Sequence, residues 1–209
     1  MSKKSKASPG ETHDISCVAK SKLPTQFGNF SLFIYLDKAD RKEHIALVTG
    51  DMKKNKNVLV RIHSECMTGD VFGSHRCDCG EQLHTALDML ARQEVGILLY
   101  LRQEGRGIGL INKIKSYALQ EAGIDTITAN HKLGFPSDMR EYSVAVSILQ
   151  DLKVKSIRLL TNNPDKVNSF ANTGIACVER IPLETFPNQH NHFYLKTKRE
   201  VSGHMLLNV

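Results

Sequence analysis

The sequence contains no tryptophan, and aromatic residues make up only 6% of it. Arginines and lysines do not interleave with the few aromatics, so a stacking platform for nucleic-acid bases is poorly supported. No apolar run approaches the roughly 20 residues that cross a bilayer, which argues against a membrane span. The stretch from Met1 to Asp14 holds lysine, serine and proline but no apolar core, so it does not read as a secretory signal. Cysteine is sparse as well: there are five, an odd number, with three clustered. That usage suits a reducing cytoplasm better than a disulfide scaffold. Cys17 and Cys177 stand alone and read as small apolar fillers or surface thiols.

What is present is globular in character. A chain of 209 residues, 41% hydrophobic and 24% charged, can bury the core of one ordinary domain. Net charge is +6 and the pI is near 9.1. This balance admits nucleic acid but suits a polyphosphate substrate equally. Residues 1–16 read as a flexible tail and 17–209 as a single domain.

Short strand-like segments are expected from Leu23 to Leu36, with Gly28 as a turn signal, and from His44 to Val48. Between Asn57 and His63, Val58, Val60 and Ile62 alternate with Leu59, Arg61 and His63, the pattern of a strand. After Gly80 the period turns helical, with Leu83, Ala86, Leu87 and Leu90 on one face and Gly96 as the stop. Ile97 to Leu101 is continuously apolar, as in a strand covered on both faces. A second helix should follow the glycine-rich turn at 105–109 and bury Leu110, Ile114, Tyr117 and Ala118. A third would use Ala145, Ile148, Leu149 and Leu152, before a strand at Ile157–Leu160. Asn163 and Pro164 predict the start of a fourth, and Gly174 its end. Asn188 to Leu207 shows a weak helical pattern. The alternation through 97–182 predicts an α/β fold, with a mixed, largely parallel sheet flanked by helices.

The richest chemistry lies at 66–80, where Cys66, Cys77 and Cys79 are spaced C-x10-C-x-C. Thiolates this close are most simply read as ligands of one soft or borderline cation, zinc first. Three protein ligands leave an open position for catalysis, whereas His63 or His75 could close the site into a structural one. Reduced, unliganded thiols are the remaining alternative. Three loops sit where open α/β sheets bind ligands, at strand carboxyl ends. Arg102 to Gly109 offers glycines and arginines suited to phosphate. Thr161 to Lys166 runs from strand into helix, and Ala129 to Arg140 carries His131, Asp138 and Arg140.

These segments together resemble one family. Arg61-Ile-His-Ser-Glu-Cys66 with Arg76-Cys-Asp-Cys-Gly80 is similar to GTP cyclohydrolase II of riboflavin biosynthesis. So are Arg102-Gln-Glu-Gly-Arg106, Asn112-Lys-Ile-Lys-Ser-Tyr117-Ala-Leu-Gln120 and Leu159-Leu-Thr-Asn-Asn-Pro164. The likeness runs in order from about Lys22 to Leu206, without the companion dihydroxybutanone phosphate domain of some relatives, which implies a monofunctional form. The resemblance implies a cytoplasmic, homodimeric hydrolase. Its reaction converts GTP to a diaminopyrimidine ribosyl monophosphate, formate and pyrophosphate, with zinc and magnesium as cofactors. It makes Cys66, Cys77 and Cys79 the zinc ligands, Asp138 a proton acceptor and Arg140 a proposed nucleophile at the α-phosphorus. A guanidinium stays protonated and offers no free lone pair, so an electrostatic clamp is the better physical reading of Arg140. Tyr117 would assist formate release. The implied GTP contacts are Arg61, Ile62, His63, Ser64, Glu65, Gln82, Glu104, Gly105, Arg106, Thr126, Thr161 and Lys166, with Glu104 suited to the guanine N1–H and 2-amino group. His75, beside Arg76, departs from the family pattern, where an apolar residue is usual. Two rivals stay open: a member that stops at the formylated pyrimidine, and a zinc-stapled nucleic-acid-binding module with a closed metal site.

Overall fold

The computed structural model describes residues 13–200 and 203–208; of residues 126 and 127 it describes the backbone alone. In chain order the strands are β1 (Ile15–Thr25), β2 (Gly28–Asp37), β3 (Glu43–Gly50), β4 (Val58–Ser64), β5 (Val95–Leu101), β6 (Ser156–Leu160) and β7 (Ala176–Ile181). The helices are α1 (Met67–Asp70), α2 (Cys79–Ala91), α3 (Gly109–Glu121), α4 (Thr126–Lys132), α5 (Ser143–Asp151), α6 (Pro164–Asn168) and α7 (His192–Glu200). All seven strands form one sheet in the order β1-β2-β3-β5-β4-β6-β7.

The ladders from β1 to β5 are antiparallel, and those joining β5, β4, β6 and β7 are parallel. Because β2 and β5 both oppose β3, β2 runs with the parallel block, and five of the seven strands share one direction. This is the mixed, largely parallel sheet that the strand–helix alternation predicts.

Both faces are covered, and β4 shows why it alternates. Val58, Val60 and Ile62 join the larger core cluster with Ala145, Ile148 and Leu149 of α5. Leu59 faces the other way, onto Ala86, Leu87 and Leu90 of α2. Burial on both sides lets this central strand carry Arg61 and His63 to its carboxyl end inside the protein. Asn163 caps α6 as expected, its Oδ1 accepting the Asp165 N–H at 2.9 Å.

Four expectations need correction. Strand β1 begins at Ile15, inside the stretch assigned to the tail, and the His13 N–H donates to Ser147 Oγ at 2.9 Å. Residues 1–12 lie outside the described residues. Helix α2 ends at Ala91 rather than running to Gly96, which lies within β5. A Cβ at Gly96 would sit 3.0 Å from the Leu90 carbonyl oxygen, so this glycine serves close packing and not a helix stop. Residues 129–132, read as part of a loop, belong to α4, with Asp125 Oδ1 accepting the Thr128 N–H at 3.1 Å.

The largest departure is α3. Its apolar stripe points outward: Leu110 is 40% exposed, Ile111 73% and Ile114 47%. The buried positions are Lys113 and Ser116, and Tyr117 is half-buried. Periodicity identifies the helix, but its inner face is polar because it borders a site and not the core.

Candidate active site

The loops after β4, β5 and β6 meet at the carboxyl ends of adjacent parallel strands, the position that α/β sheets use for ligands. The loop after β4 carries Cys66, and the start of α2 returns Cys77 and Cys79 to it. The three sulfurs lie within 4.8 Å of one another, and no histidine or carboxylate of the described residues joins the group. Two sulfurs on a tetrahedral zinc, each at about 2.3 Å, stand about 3.8 Å apart; Cys66 and Cys77 are at 3.7 Å. The donor set therefore fits a soft or borderline divalent cation such as zinc.

Backbone shape makes the cradle. A Cβ on Gly69 would lie 2.8 Å from Cys77 Sγ and 3.2 Å from Cys66 Sγ, while one on Gly80 would lie 2.4 Å from the Gly69 carbonyl oxygen. Two glycines thus let the cysteine loops close on each other. Asp70 fastens the first loop, accepting the Cys66 N–H at 2.9 Å and the Tyr100 hydroxyl at 2.8 Å. It also bonds His63 Nε2 at 3.0 Å. His63 is thereby committed to Asp70, and burial lowers its pKa. His75 is exposed, its ring 6.2 Å from that of His190. Neither histidine offered by spacing joins the sulfurs.

One cation serves the thiols directly. Lys113 Nζ donates to Cys66 Sγ at 3.1 Å and to Glu104 Oε1 at 2.9 Å. Burial opposes its charge, but Cys66 and Glu104 more than offset this and hold the ammonium above its ordinary pKa. Hydrogen bonding with Cys77 and Cys79, aided by Lys113, pulls the Cys66 thiol far down, whereas its bond to Cys66 pushes Cys77 up to about 11. Glu104 Oε2 accepts the Met67 N–H at 2.6 Å, and Oε1 also accepts from Gly105 at 2.7 Å. A guanine edge at Glu104 would share oxygens that already tie two loops together.

The Glu104–Gly107 turn after β5 holds Gly105, Arg106 and Gly107 at φ 63°, 60° and 91°. Arg106 in this left-handed region is the sparsely populated geometry that collects at functional sites. The turn is secured by Met139 N–H donating to the Arg106 carbonyl at 3.0 Å.

Two adjoining cavities result. A cleft over the sulfurs is lined by Glu65, Glu104, Gly105, Lys113 and Tyr117, among others. Beside it lies a recess lined by Arg61, His63, Gln82, Thr161 and Lys166. Ser64, Cys79, Arg106, Arg140 and Tyr194 border both. Arg61 donates to the Leu160 carbonyl at 3.0 Å and to Gln82 Oε1 at 2.6 Å; Lys166 donates to the Ile62 carbonyl at 2.7 Å. Neither forms an ion pair with a carboxylate among the described residues. Burial pushes Arg61 down to about 10 and, with repulsion from Arg61 and Arg140, holds Lys166 well below its ordinary value. Arg61 Nε, His63 Nδ1 and Ser64 Oγ are buried without a hydrogen-bond partner. Uncompensated buried cations and orphaned polar atoms describe a recess built for an anion.

Most expected residues converge here. Asp138 is bound to Arg140, whose Nη2 reaches its Oδ2 at 2.5 Å. Although burial works against it, this pairing keeps the Asp138 carboxyl below its usual range. The side chain of Ile62 points into the core beneath α5, and only its carbonyl faces the recess, through Lys166. Thr126 opens α4, and its side chain lies outside the described residues. Sequence reading missed Lys113, although helical spacing places it one turn from Tyr117. It also missed Gly69, Asp70, Asp78, Tyr194 and Lys198. Of these, Asp78 carried a signal, since it stands between two cysteines.

Fold and site together define an α/β protein with a three-thiol cradle able to hold a metal, opening beside a cationic recess. A family model for GTP cyclohydrolase II matches residues 16–182. The chain belongs to the GTP cyclohydrolase II family. It is 53% identical over 191 residues to GTP cyclohydrolase-2 of Pseudomonas putida (strain W619), covering 91% of this chain and 93% of that one. It is 55% identical over 188 residues to riboflavin biosynthesis protein RibBA of Bacillus cereus, covering 90% of this chain and 47% of that one. The chain thus spans about half the length of the Bacillus relatives it matches. A two-domain 3,4-dihydroxy-2-butanone 4-phosphate synthase from A. baumannii, RibBX, superposes with a TM-score of 0.47 at 19% identity, over 85% of this chain and 42% of that one. Among the described residues no helix is long and apolar enough to cross a membrane.

Proposed function

We propose that the chain hydrolyses GTP to 2,5-diamino-6-hydroxy-4-(5-phosphoribosylamino)pyrimidine, formate and pyrophosphate, the opening step of riboflavin biosynthesis. One observation carries this reading: the three-thiol cradle and the recess holding unpaired Arg61 and Lys166 share the walls formed by Ser64, Cys79, Arg106 and Arg140. A ligand that fills both has a polyanion at one end and a reacting group for a metal at the other. GTP, the substrate named for the family, has that form.

Cys66, Cys77 and Cys79 would hold zinc, which would supply Lewis acidity to a water directed at guanine C8, and magnesium would accompany the triphosphate. The remaining work falls to side chains. Arg61 and Lys166 bind phosphate oxygens, and Arg140 clamps the α-phosphate with its forked donors. Asp138 accepts a proton. While Arg140 is bound to it, Asp138 is a weak base; once Arg140 turns to phosphate, that restraint is lifted. Binding of the triphosphate and strengthening of the base are then one event. Tyr117 borders the thiol cleft, its ring 4.2 Å from the Arg76 guanidinium carbon, in reach of the ring-opened base for the formate-releasing step.

Free thiols call for a reducing compartment, and the cytoplasm is the natural one. The exposed stripe of Leu110, Ile111 and Ile114 on α3 favours a homodimer as the working unit. The deciding experiment incubates zinc-loaded protein with GTP and magnesium and assays formate and pyrophosphate, with Cys77→Ser as control. Release of both by the wild type and of no formate by the control is expected. Absence of formate from the wild type would overturn the assignment.

A further inference from the structure

The family match ends at residue 182, yet the site does not. Helix α7 contributes Tyr194 and Lys198 to its walls, one helical turn apart and so on one face. The Tyr194 ring stands between two cations, with Lys198 Nζ 4.5 Å and the Arg106 guanidinium carbon 5.9 Å from its centroid. Lys198 Nζ donates to Asp78 Oδ1 at 2.7 Å. Asp78 Oδ2 accepts from Gln82 Nε2 at 2.6 Å, and Gln82 Oε1 accepts from Arg61 at 2.6 Å. A continuous chain of polar contacts therefore runs from α7, through the residue between Cys77 and Cys79, to the buried arginine of β4.

The segment after α7 is docked as well. Met205 N–H donates to the Asn162 carbonyl at 2.9 Å, Leu206 is buried, and Leu207 N–H donates to Glu184 Oε2 at 2.9 Å. This holds α7 against the loop after β6, from which Thr161 and Lys166 reach the recess.

Charge then decides what Lys198 is for. Arg61, Arg106, Arg140, Lys166 and Lys198 all border the recess. Among the described residues, carboxylates pair with only two of them, Asp78 with Lys198 and Asp138 with Arg140. A lysine needed only to neutralise Asp78 would not have to stand in the wall of a cavity already rich in positive charge. An ammonium has three N–H donors, and one carboxylate oxygen uses one of them.

We propose that Lys198 is a phosphate-binding residue of this site, taking the terminal phosphates of the nucleotide, the part released as pyrophosphate. The assignment rests on the nucleotide reading above and adds to it a residue outside the family-matched segment. Asp78 keeps the ammonium in place before the ligand arrives and shares it afterwards. Tyr194 holds the ammonium against its ring face.

The test uses full-length, zinc-loaded protein with inorganic pyrophosphate, GTP and GMP. In Lys198→Gln, the inhibition constant of pyrophosphate and the KM for GTP should both rise on the order of tenfold, as for loss of one charge-assisted hydrogen bond. GMP affinity and kcat should change little, and Lys198→Arg should recover most of the pyrophosphate affinity. A Lys198→Gln protein with unaltered pyrophosphate inhibition but reduced zinc content or kcat would make Lys198 a fastener of the cysteine loop and overturn the proposal. A measurement without any variant guards against misfolding: pyrophosphate should slow amide hydrogen exchange over residues 192–200 of the wild type, and unchanged exchange would also overturn it. Wild-type protein that neither binds pyrophosphate nor releases formate would take down the nucleotide reading itself. Wild-type binding with no dependence on Lys198 removes only this proposal.

Discussion

The ammonium of Lys113 lies 3.1 Å from the sulfur of Cys66 and joins it to Glu104, 2.9 Å away. Three thiolates and one divalent cation would leave a net negative charge in a buried site. Lys113, shared with Glu104, offsets that charge beside Cys66, and its N–H···S bond draws electron density from one ligand. Partners of this kind tune both affinity and the Lewis acidity of a metal.

Lys113→Met should therefore weaken zinc binding by about 10–100-fold in chelator competition. In the cobalt-substituted protein, the sulfur-to-metal charge-transfer band should move to lower energy, because an unbonded thiolate is a stronger donor. Unchanged affinity and an unchanged band would reduce Lys113 to a packing residue.

Gly69→Ala probes the cradle by shape alone. Alanine is ordinarily the better helix residue by about 1 kcal/mol, but here its Cβ would lie 2.8 Å from Cys77 Sγ. The sulfurs must spread, so zinc retention after dialysis should collapse while the far-ultraviolet circular dichroism stays near wild type. Full zinc occupancy in this variant would contradict the close approach of the two loops.

Tyr117→Phe separates ring opening from formate loss. The hydroxyl is removed and the ring stays under Arg76, so GTP should still be opened while formylated pyrimidine accumulates. Mass spectrometry of the reaction mixture reads the ratio. Finding only unreacted GTP would assign Tyr117 to binding or packing.

Arg140 is predicted to act by charge and geometry. Burial opposes its charge, but Tyr142 and Asp138 more than offset this and hold the guanidinium above its ordinary pKa. It has no lone pair to attack phosphorus. Arg140→Lys should retain reduced turnover, and Arg140→Ala should fall by about a hundred- to thousandfold. Intact-protein mass spectrometry of quenched turnover mixtures should show no nucleotide adduct. An increment of nucleotide mass on Arg140 would establish the covalent route instead.

Acid stability offers a check away from the reaction. His44 is buried, its Nδ1 accepts the Arg102 N–H at 3.2 Å, and burial lowers its pKa from 6.5 to about 4. Its folded pKa lies below the unfolded one, so the unfolded chain takes up the proton first as pH falls. This contribution is complete above about pH 6.5 and lost on the way to pH 4, about 3 kcal/mol across the gap. His63, also lowered by burial, adds in the same direction. Urea midpoints measured from pH 7.5 downward should fall below pH 6.5, and the slope should be shallower in His44→Asn. Equal slopes would assign the loss to other groups.

Local pattern was enough for much of this molecule. The alternation at 58–63, the period of α2, the cap at Asn163 and the cysteine spacing each depend on neighbours within a turn or a strand. Such contacts are encoded by adjacency, so they are visible in a linear chain. The family motifs are contiguous for a related reason: each is one short segment, a loop at a strand's carboxyl end or, as with Asn112–Gln120, one stretch of helix. What tertiary structure alone decided was which face of a helix looks where. The apolar residues of α3 read as core, yet Lys113 is what it buries, because the helix lies over a thiol site and not over the sheet. Gly69 and Gly80 carry no local signal, since their small size matters only where two separate loops cross. Lys198 and Asp78 are 120 residues apart, and nothing in the periodicity of either segment announces the other. Charge pairing and close approach act through space, so the residues that complete this site became legible only once the chain had folded around it.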